Sequence, residues 1–251
     1  MLSEFIASLS IIPMLIYVLS KRSIIGAFAW SFFALACLIK AMEFLNGKDY
    51  INVFIFSLGA LFFFLMAKAI ISRNSKTFLE VTAFSALACA IYFPFVFLQS
   101  FNSTIIETTA YLTSVLGNML GYPMNSYGRI VKLENGSVEI ILACTAIESM
   151  ALFTGATLGI NADRKRKAKA FMISVPVIYF LNLFRNVFVV VSFAYSIFGE
   201  NSFYIAHHVI AKIFSFLALL AIAYGVFRIL PELTELIYSL KKEIVRGVKG
   251  D

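Results

Sequence analysis

Charged residues are scarce in this sequence: Asp, Glu, Lys and Arg make up 14% of the 251 residues, whereas hydrophobic residues make up 61%. Soluble domains are about a quarter charged and about half apolar, so a soluble fold would leave too much apolar surface in contact with water. The composition therefore argues against an ordinary soluble protein and favours one that lies in a lipid bilayer.

Cysteine and histidine are also few, with three and two residues respectively. The odd set of Cys37, Cys89 and Cys144 shows neither the pattern of a disulfide framework nor the spacing of a zinc site. The sequence also lacks a His-Glu-x-x-His helix and a pair of aspartates within its apolar runs, which argues against intramembrane metalloproteases and aspartyl proteases. No metal and no cofactor are predicted.

Long apolar runs, by contrast, are abundant. A helix needs about 20 apolar residues to cross a hydrocarbon layer of about 30 Å. This length predicts about seven spans, near residues 2–20, 23–40, 51–72, 77–98, 144–161, 170–196 and 205–229. We expect an all-α polytopic membrane protein with a single membrane domain over residues 1–251. The first run has its positive charges after it and no clear cleavage site, so we expect it to stay in the mature chain.

The formal net charge of +7 does not require a nucleic-acid partner. Most of the basic residues flank the predicted spans on one side of the membrane. Those on that side are Lys21, Arg22, Lys68, Arg73, Lys76, Arg164, Lys165, Arg166, Lys167, Lys169, Arg228, Lys241, Lys242, Arg246 and Lys249. Loops rich in Lys and Arg remain in the cytoplasm. We therefore predict a multi-pass protein of the cell membrane with its N-terminus outside and its C-terminus in the cytoplasm.

One long connection, residues 99–143, interrupts the short loops and is predicted to face outward. Its first part predicts an amphipathic helix near 103–120, with apolar positions Ile106, Leu112, Val115, Leu116 and Leu120. Its second part predicts a β-hairpin, in which residues 129–133 and 137–142 face each other across Asn135-Gly136. The second strand leads directly into Cys144, which places this thiol at the outer rim of the fifth span.

The end of the chain, residues 231–248, predicts a cytoplasmic amphipathic helix. Its apolar positions at helical spacing are Leu233, Ile237, Leu240, Ile244 and Val248. Basic residues on the polar side suit a helix that lies on anionic lipid.

Arg185 stands alone as a charge within the sixth apolar run. Placing Arg at membrane depth costs a few kcal/mol, so such a residue usually has a functional or pairing role. Asn182 precedes it by three residues and shares its helix face. Alternatively, Arg185 extends its head group to the membrane surface or pairs with Glu148, which lies one turn below Cys144.

The predicted topology brings three different groups to one depth near the outer surface. Cys144 begins an inward-going span, Arg185 lies in the outer half of the next span, and His207 begins the last one, with His208 beside it. A neighbouring guanidinium or imidazolium favours the nucleophilic thiolate of a cysteine. His can return a proton to a leaving amine, and Arg can stabilise an oxyanion. The set suits acyl transfer by a cysteine enzyme.

Three short segments carry a resemblance to a known family. Residues 143–149 read ACTAIES, residues 182–186 read NLFRN, and residues 207–211 read HHVIA. In this order and spacing they resemble the signature segments of the exosortase/archaeosortase family, with the archaeosortase branch the nearer. Related proteins often have His, an acidic residue and, four places after the His, Gly in the third segment. Here His208 and Ala211 stand at those two places, so His207 aligns as the catalytic histidine.

The resemblance implies a membrane-embedded cysteine transpeptidase. Its substrates would be precursors of surface proteins that end in a sorting signal made of a short motif, a transmembrane helix and a basic tail. Cleavage would leave a thioester on Cys144, with Arg185 and His207 as the other catalytic residues and Asn182, Glu148 and His208 in support. An amine acceptor, a lipid or another amine, would then release the product at the outer side of the membrane.

A transporter is the alternative from another class, because an intramembrane Arg and outer histidines such as Arg185 and His207 also line substrate paths. Transporters are often built from two related halves with broken spans. The sequence has no such repeat, which favours the enzyme.

Overall fold

The computed structural model describes residues 2–134 and 136–249, most of them helical. The chain forms two compact units and returns to each of them along its length. The first comprises Met1–Ala90, Leu158–Ala162 and Pro231–Asp251, and the second comprises Ile91–Thr157 and Asp163–Leu230. The single membrane domain expected over residues 1–251 stays a prediction.

Within the described residues, six helical stretches are long and apolar enough to cross a bilayer. They are Leu2–Ser20, Ser23–Asn46, Tyr50–Ser72, Lys76–Phe97, Arg164–Ala194 and Gly199–Ile229. The expected polytopic, all-α membrane protein is confirmed: six such stretches lie in the described residues, where the sequence predicted about seven spans. The span expected at 144–161 is replaced by a 12-residue helix, Ile147–Leu158. At about 1.5 Å per residue this helix reaches about 18 Å, less than the thickness of the hydrocarbon layer.

Most helices of the first unit come from the start of the chain. They are α1 (Leu2–Ser8), α2 (Ile11–Ser20), α3 (Ser23–Asn46), α4 (Tyr50–Ser72), most of α5 (Lys76–Phe97) and, at the end of the chain, α11 (Pro231–Lys249). The Trp30 ring on α3 stacks on Phe63 of α4 with their centroids 5.4 Å apart. The indole N–H of Trp30 donates to Thr82 at 3.0 Å, so the buried indole is both packed and hydrogen-bonded.

The C-terminal helix α11 begins and ends as the sequence predicts, but its buried face differs. Leu233, Leu236 and Ile244 are buried, whereas Ile237, expected on the apolar face, is 55% exposed. α11 packs against α4, where a Cβ atom on Gly247 would lie 2.7 Å from the Cβ atom of Ala69. Gly247 therefore belongs to the buried face, together with residues 233, 236 and 244.

The second unit combines helices with a small sheet. Its elements are α6 (Gln99–Met119), β1 (Met124–Tyr127), β2 (Ile130–Leu133), β3 (Gly136–Glu139), α7 (Ile147–Leu158), α8 (Arg164–Ala194), α9 (Ser202–Tyr204), a π-helical segment (Ile205–Ile210) and α10 (Ala211–Ile229). The side chain of Asp163 caps α8 by accepting from the backbone N–H groups of Lys165 and Arg166. α8 runs beside the sheet at one end and beside α10 along its length.

The amphipathic helix expected in the outward connection is present as α6, but its buried face is formed by other residues. Ile106 is buried as predicted, whereas Leu112, Val115 and Leu116 are only half-buried and Leu120 is exposed. Small and hydroxyl-bearing side chains form the buried face, namely Thr109, Ala110, Thr113, Ser114 and Gly117. They allow close packing: a Cβ atom on Gly117 would lie 2.3 Å from the sulfur of Met124 on β1.

The predicted hairpin is present, and a third strand extends it. The sheet order is β1-β2-β3, with both neighbouring pairs antiparallel. One face of the sheet packs on α6 and α8 and buries Val131, Leu133, Val138 and Ile140. Cys144 belongs to the same apolar cluster, so the sheet and the thiol share one core.

The β2–β3 register pairs Leu133 with Gly136. The turn therefore starts at Glu134, which has a φ of +49°, and the predicted turn residue Asn135 lies outside the described residues. Gly136 serves a different purpose from the one predicted: a Cβ atom there would lie 2.7 Å from Cα of Ala194 on α8. The Asn-Gly pattern located the hairpin, but this glycine is required by the packing of β3 on α8.

Candidate active site

A single 3₁₀ turn, Leu142–Cys144, joins the sheet to α7 and presents Cys144. The backbone N–H of Cys144 donates to the carbonyl of Ile141 at 2.8 Å, and the Thr145 hydroxyl donates to the carbonyl of Leu142 at 2.7 Å. Cys144 is 7% exposed. Local hydrogen bonds on both sides of the residue therefore fix the direction of the thiol.

Ala146 follows in a strained conformation, with a φ of +59°. This left-handed region is unfavourable for an alanine by about 1–2 kcal/mol, and such strain tends to occur at functional sites. The turn it makes redirects the chain from the sheet into α7. Nothing in the sequence signals this conformation, because Ala has no preference for it.

Two asparagines of α8 hold the backbone of Cys144. The side-chain Nδ2 atoms of Asn182 and Asn186 donate to the carbonyl oxygen of Cys144 at 2.7 Å and 3.1 Å. The two residues are one helical turn apart and use both lone pairs of that oxygen. Sequence analysis selected Asn182 but not Asn186, although Asn186 lies four residues after Asn182, and this spacing was a usable signal.

The structure brings Arg185 and His207 to Cys144. The thiol sulfur lies 3.9 Å from Nε2 of His207, and Nη2 of Arg185 lies 3.4 Å from the same nitrogen. Nη1 of Arg185 also lies 3.5 Å from Oδ1 of Asn182. The three groups that topology alone placed at one depth are therefore in direct contact.

The position of Arg185 specifies the form of the imidazole. A guanidinium has only donors, so it can hydrogen-bond to Nε2 only when that nitrogen carries a lone pair. An Nε2 lone pair is also what a base needs to take the proton of the neighbouring thiol. Both contacts thus favour the neutral tautomer of His207 with its proton on Nδ1.

His207 lies in the π-helical segment, and such segments are frequent at functional sites. Its ring stacks on Phe203 with centroids 5.3 Å apart and planes 6° apart. The Nδ1 atom is buried with no hydrogen-bond partner among the described residues. The orientation of the imidazole therefore depends on the Phe203 ring on one side and on Arg185 and Cys144 at Nε2.

Cys144, Arg185 and His207 form a trio, and the remaining predicted site residues lie at different distances from it. His208 is exposed, with its ring 4.6 Å from that of His207. Glu148 does not join the site; the Tyr92 hydroxyl donates to it at 3.1 Å. Arg185 therefore does not use Glu148 as its partner and contacts Asn182 and His207 instead. The described residues contain no group of three or more His, Cys, Asp and Glu placed to hold a metal ion.

Two separate cavities adjoin the trio. The strand-side cavity has a volume of about 240 Å³ and is lined by Val138, Glu139, Ile140, Ile141, Cys144, Asn186, Val189, Phe203, His207 and His208. The helix-side cavity has a volume of about 350 Å³. Its polar lining includes Asn182, Arg185 and Lys212, and its apolar lining includes Ala146, Ile178, Leu181, Ala218, Leu219 and Ile222.

Comparison with known proteins gives a consistent answer. The family model described as transmembrane exosortase matches residues 3–225. Archaeosortase A of Haloferax volcanii is 26% identical to this chain over 260 aligned residues, covering 89% of this chain and 84% of that protein. Archaeosortase A of Natronomonas pharaonis is 32% identical over 120 residues, covering 41% of this chain and 38% of that protein.

No solved structure matches the chain. The family match covers most of the sequence, including all three segments that carry the trio, and the resemblance stated from those segments is confirmed. The chain belongs to the transmembrane exosortase family, whose members are membrane enzymes that process the sorting signals of other proteins.

Proposed function

We propose that this protein is a cysteine transpeptidase that cleaves the C-terminal sorting signal of precursor surface proteins through a thioester on Cys144. The new C-terminus is then transferred to an amine acceptor, a lipid. The observation that carries the proposal is the shared nitrogen of His207, which lies 3.9 Å from the thiol of Cys144 and 3.4 Å from the guanidinium of Arg185. One base thus contacts both the nucleophile and a permanent cation.

In the first half-reaction, Nε2 of His207 takes the proton from the Cys144 thiol, and the sulfur attacks the carbonyl carbon of the scissile peptide bond. Protonation removes the Nε2 lone pair, so Arg185 loses its acceptor on the ring and is repelled by the imidazolium. Its N–H groups are then available to the oxyanion of the tetrahedral intermediate. When the C–N bond breaks, the imidazolium gives its proton to the leaving amine, and the thioester remains on Cys144.

The second half-reaction reverses these proton transfers. The acceptor amine attacks the thioester carbonyl, His207 takes its proton, and the oxyanion again lies beside Arg185. The C–S bond breaks, and the proton passes to the departing thiolate of Cys144. Asn182 and Asn186 hold the carbonyl oxygen of Cys144 throughout, so that the sulfur keeps its position through both steps.

The helix-side cavity supports a lipid as the acceptor. α8 and α10 are antiparallel, so Arg185 and Lys212 lie at one end of this cavity, and Ile178 and Ile222 lie at the other. Two cations above an apolar wall match an amphiphile with an anionic head group and hydrocarbon chains. A phospholipid with a primary amine would place its phosphate near Lys212 and its amine toward the thioester.

The proposed orientation puts the N-terminus outside, the C-terminus in the cytoplasm and the active site at the outer face of the cell membrane. The support comes from the basic residues: the first turn of α8 carries Arg164, Lys165, Arg166 and Lys167, and the exposed side of α11 carries Lys241, Lys242 and Arg246. Cytoplasmic loops are enriched in such residues. The trio lies toward the opposite end of α8.

The decisive experiment compares wild type with Cys144→Ala in a host that lacks its own copy of the gene. We expect precursors with intact C-terminal signals to accumulate only with the mutant, as measured by mass spectrometry of their C-termini. Cys89→Ala is the matched control, because it removes another free thiol, which lies on α5 in the first unit. Normal processing by Cys144→Ala would exclude the cysteine mechanism and favour the transporter interpretation.

A further inference from the structure

The free edge of β3 carries backbone groups that the fold leaves unpaired. β3 is an outer strand of the sheet, and its only partner strand in the described residues is β2. In an antiparallel pair, successive residues point their N–H and C=O groups alternately toward and away from the partner strand. The N–H of Ile140 donates to the carbonyl of Arg129, which fixes this alternation.

It follows that the backbone groups of Val138 point toward β2, whereas those of Ser137 and Glu139 point away from it. The described residues provide no backbone partner for either of them at this edge. Exposed edges of this kind readily pair with another extended chain. The side chains of Ser137 and Glu139 are exposed, so they do not cover the edge.

The strand-side cavity lies along this edge and ends at the nucleophile. Residues of β3 and the following Ile140 and Ile141 form one wall, and Phe203, His207 and His208 form the other. Asn186 and Val189 of α8 contribute to the lining between them, together with Cys144. A strand laid in this slot would therefore have β3 on one side and the catalytic imidazole on the other.

We propose that the edge of β3 binds the recognition motif of the substrate as an added β-strand, which brings the scissile bond to Cys144. The inference rests on the proposed function and assigns the strand-side cavity to the peptide substrate. Main-chain hydrogen bonds to Ser137 and Glu139 supply sequence-independent affinity, and the cavity wall selects the side chains of the motif. Because β3 leads into the 3₁₀ turn of Cys144, a peptide in register with the strand is also in register with the sulfur.

Proline at position 139 provides the first test. Glu139→Pro removes the outward N–H but leaves the bonds between Val138 and β2, and edge strands tolerate proline at such positions. Glu139→Ala is the side-chain control because it keeps the N–H. Ser126→Pro is the matched control on the outer edge of β1, where the register also directs the N–H away from β2.

The assay uses purified enzyme in phospholipid vesicles and a synthetic precursor segment, taken from a protein that accumulates in cells with Cys144→Ala. We expect Glu139→Pro to raise KM about tenfold or more, the effect of losing a backbone hydrogen bond and admitting a proline ring. Ser126→Pro is expected to stay within about twofold of wild type, and Glu139→Ala, which keeps the N–H, to raise KM less than Glu139→Pro does. Equal KM values for Glu139→Pro and Glu139→Ala would overturn the proposal.

A second test leaves the enzyme unchanged, so it does not depend on the folding of a variant. The precursor segment is synthesised with a single N-methyl group at successive positions of the motif. Strand pairing predicts a loss of cleavage at every second position, because only alternate N–H groups face β3. Uniform sensitivity or uniform tolerance would contradict strand addition. Either result is distinct from failure of the proposed function, in which Cys144→Ala itself would cleave the precursor.

Discussion

The side-chain amide of Asn182 lies 2.7 Å from the carbonyl oxygen of Cys144, so α8 holds the proposed nucleophile by its backbone as well as facing it with Arg185. Asn186 supplies a second donor to the same oxygen at 3.1 Å. The two asparagines thus hold the backbone of Cys144 and take no chemical part in the proposed reaction. This makes them positioning residues, and their loss has a distinct signature.

Asn182→Ala and Asn186→Ala are expected to lower kcat about tenfold each while changing KM little, because each removes one donor from a buried carbonyl. Asn182→Asp should be worse, since a carboxylate would face that carbonyl oxygen. The rate of alkylation of Cys144 by iodoacetamide reports the position of the thiol independently of the substrate. An unchanged kcat in the double variant would contradict a positioning role for either asparagine.

Arg185→Lys is expected to lose about 10²-fold to 10³-fold in kcat, measured as precursor cleaved per enzyme in vesicles. Lysine keeps the charge but cannot reach His207 and Asn182 at once as the planar guanidinium does. Arg129→Lys, an exchange at an exposed hairpin residue, is the matched control and should be silent. A variant Arg185→Lys with near-normal turnover would mean that only the charge matters.

His207→Ala should reduce processing far more than His208→Ala. Only His207 has a ring nitrogen within reach of the Cys144 sulfur, at 3.9 Å, whereas His208 is exposed at the cavity wall. The comparison is made on the C-termini of surface proteins in cells that express equal amounts of each variant. Equal defects would overturn the assignment of the base to His207.

Ala146→Gly is expected to keep full activity and to raise the midpoint of thermal unfolding in detergent, because glycine adopts a φ of +59° without the strain of a Cβ atom. Ala146→Val should lower both activity and the midpoint, since β-branched residues are least suited to positive φ. Ala143→Val is the control for added bulk, because Ala143, like Ala146, lines the helix-side cavity. Similar effects of the two valine variants would attribute the loss to volume alone.

Lys212→Gln tests the lipid acceptor. If Lys212 holds the phosphate of the lipid, its loss should raise the KM for the amine phospholipid and leave the cleavage step intact, so that water takes a larger share of the thioester. The ratio of hydrolysed to lipid-linked product measures this partition, and Lys212→Arg should restore it. An unchanged ratio in Lys212→Gln would exclude this residue from acceptor binding.

The sequence predicted the parts of the structure that follow from transfer of apolar residues into lipid. Apolar run length located six of the spans, and the alternation of spans placed Cys144, Arg185 and His207 at one depth. The run at 144–161 holds a shorter helix than expected because it also includes the 3₁₀ turn before α7 and the loop residues after it. Hydropathy measures composition and cannot detect where a helix begins.

Details set by close packing and backbone geometry were not predictable from one sequence. The buried face of α6 is formed by Thr109, Ala110 and Thr113, because small side chains permit close approach of the sheet, whereas hydrophobicity favoured the leucines. The partner of Glu148 is Tyr92, a residue on another helix for which no pattern exists. Asn186 could have been predicted from the sequence, because its spacing from Asn182 marks a polar face on an otherwise apolar stretch of helix.

The strand-side cavity is lined by Cys144 and the helix-side cavity by Arg185, and this division bears on the order of events in the proposed reaction. In a site with a single entrance, the second substrate can enter only after the first leaving group has departed. Here the strand-side and helix-side cavities are lined by different residues, so an acceptor that occupies the helix-side cavity, as proposed, can already be bound when the peptide bond breaks. Initial-rate plots at several lipid concentrations would then intersect and not run parallel, and a resident acceptor would limit the lifetime of the thioester toward water.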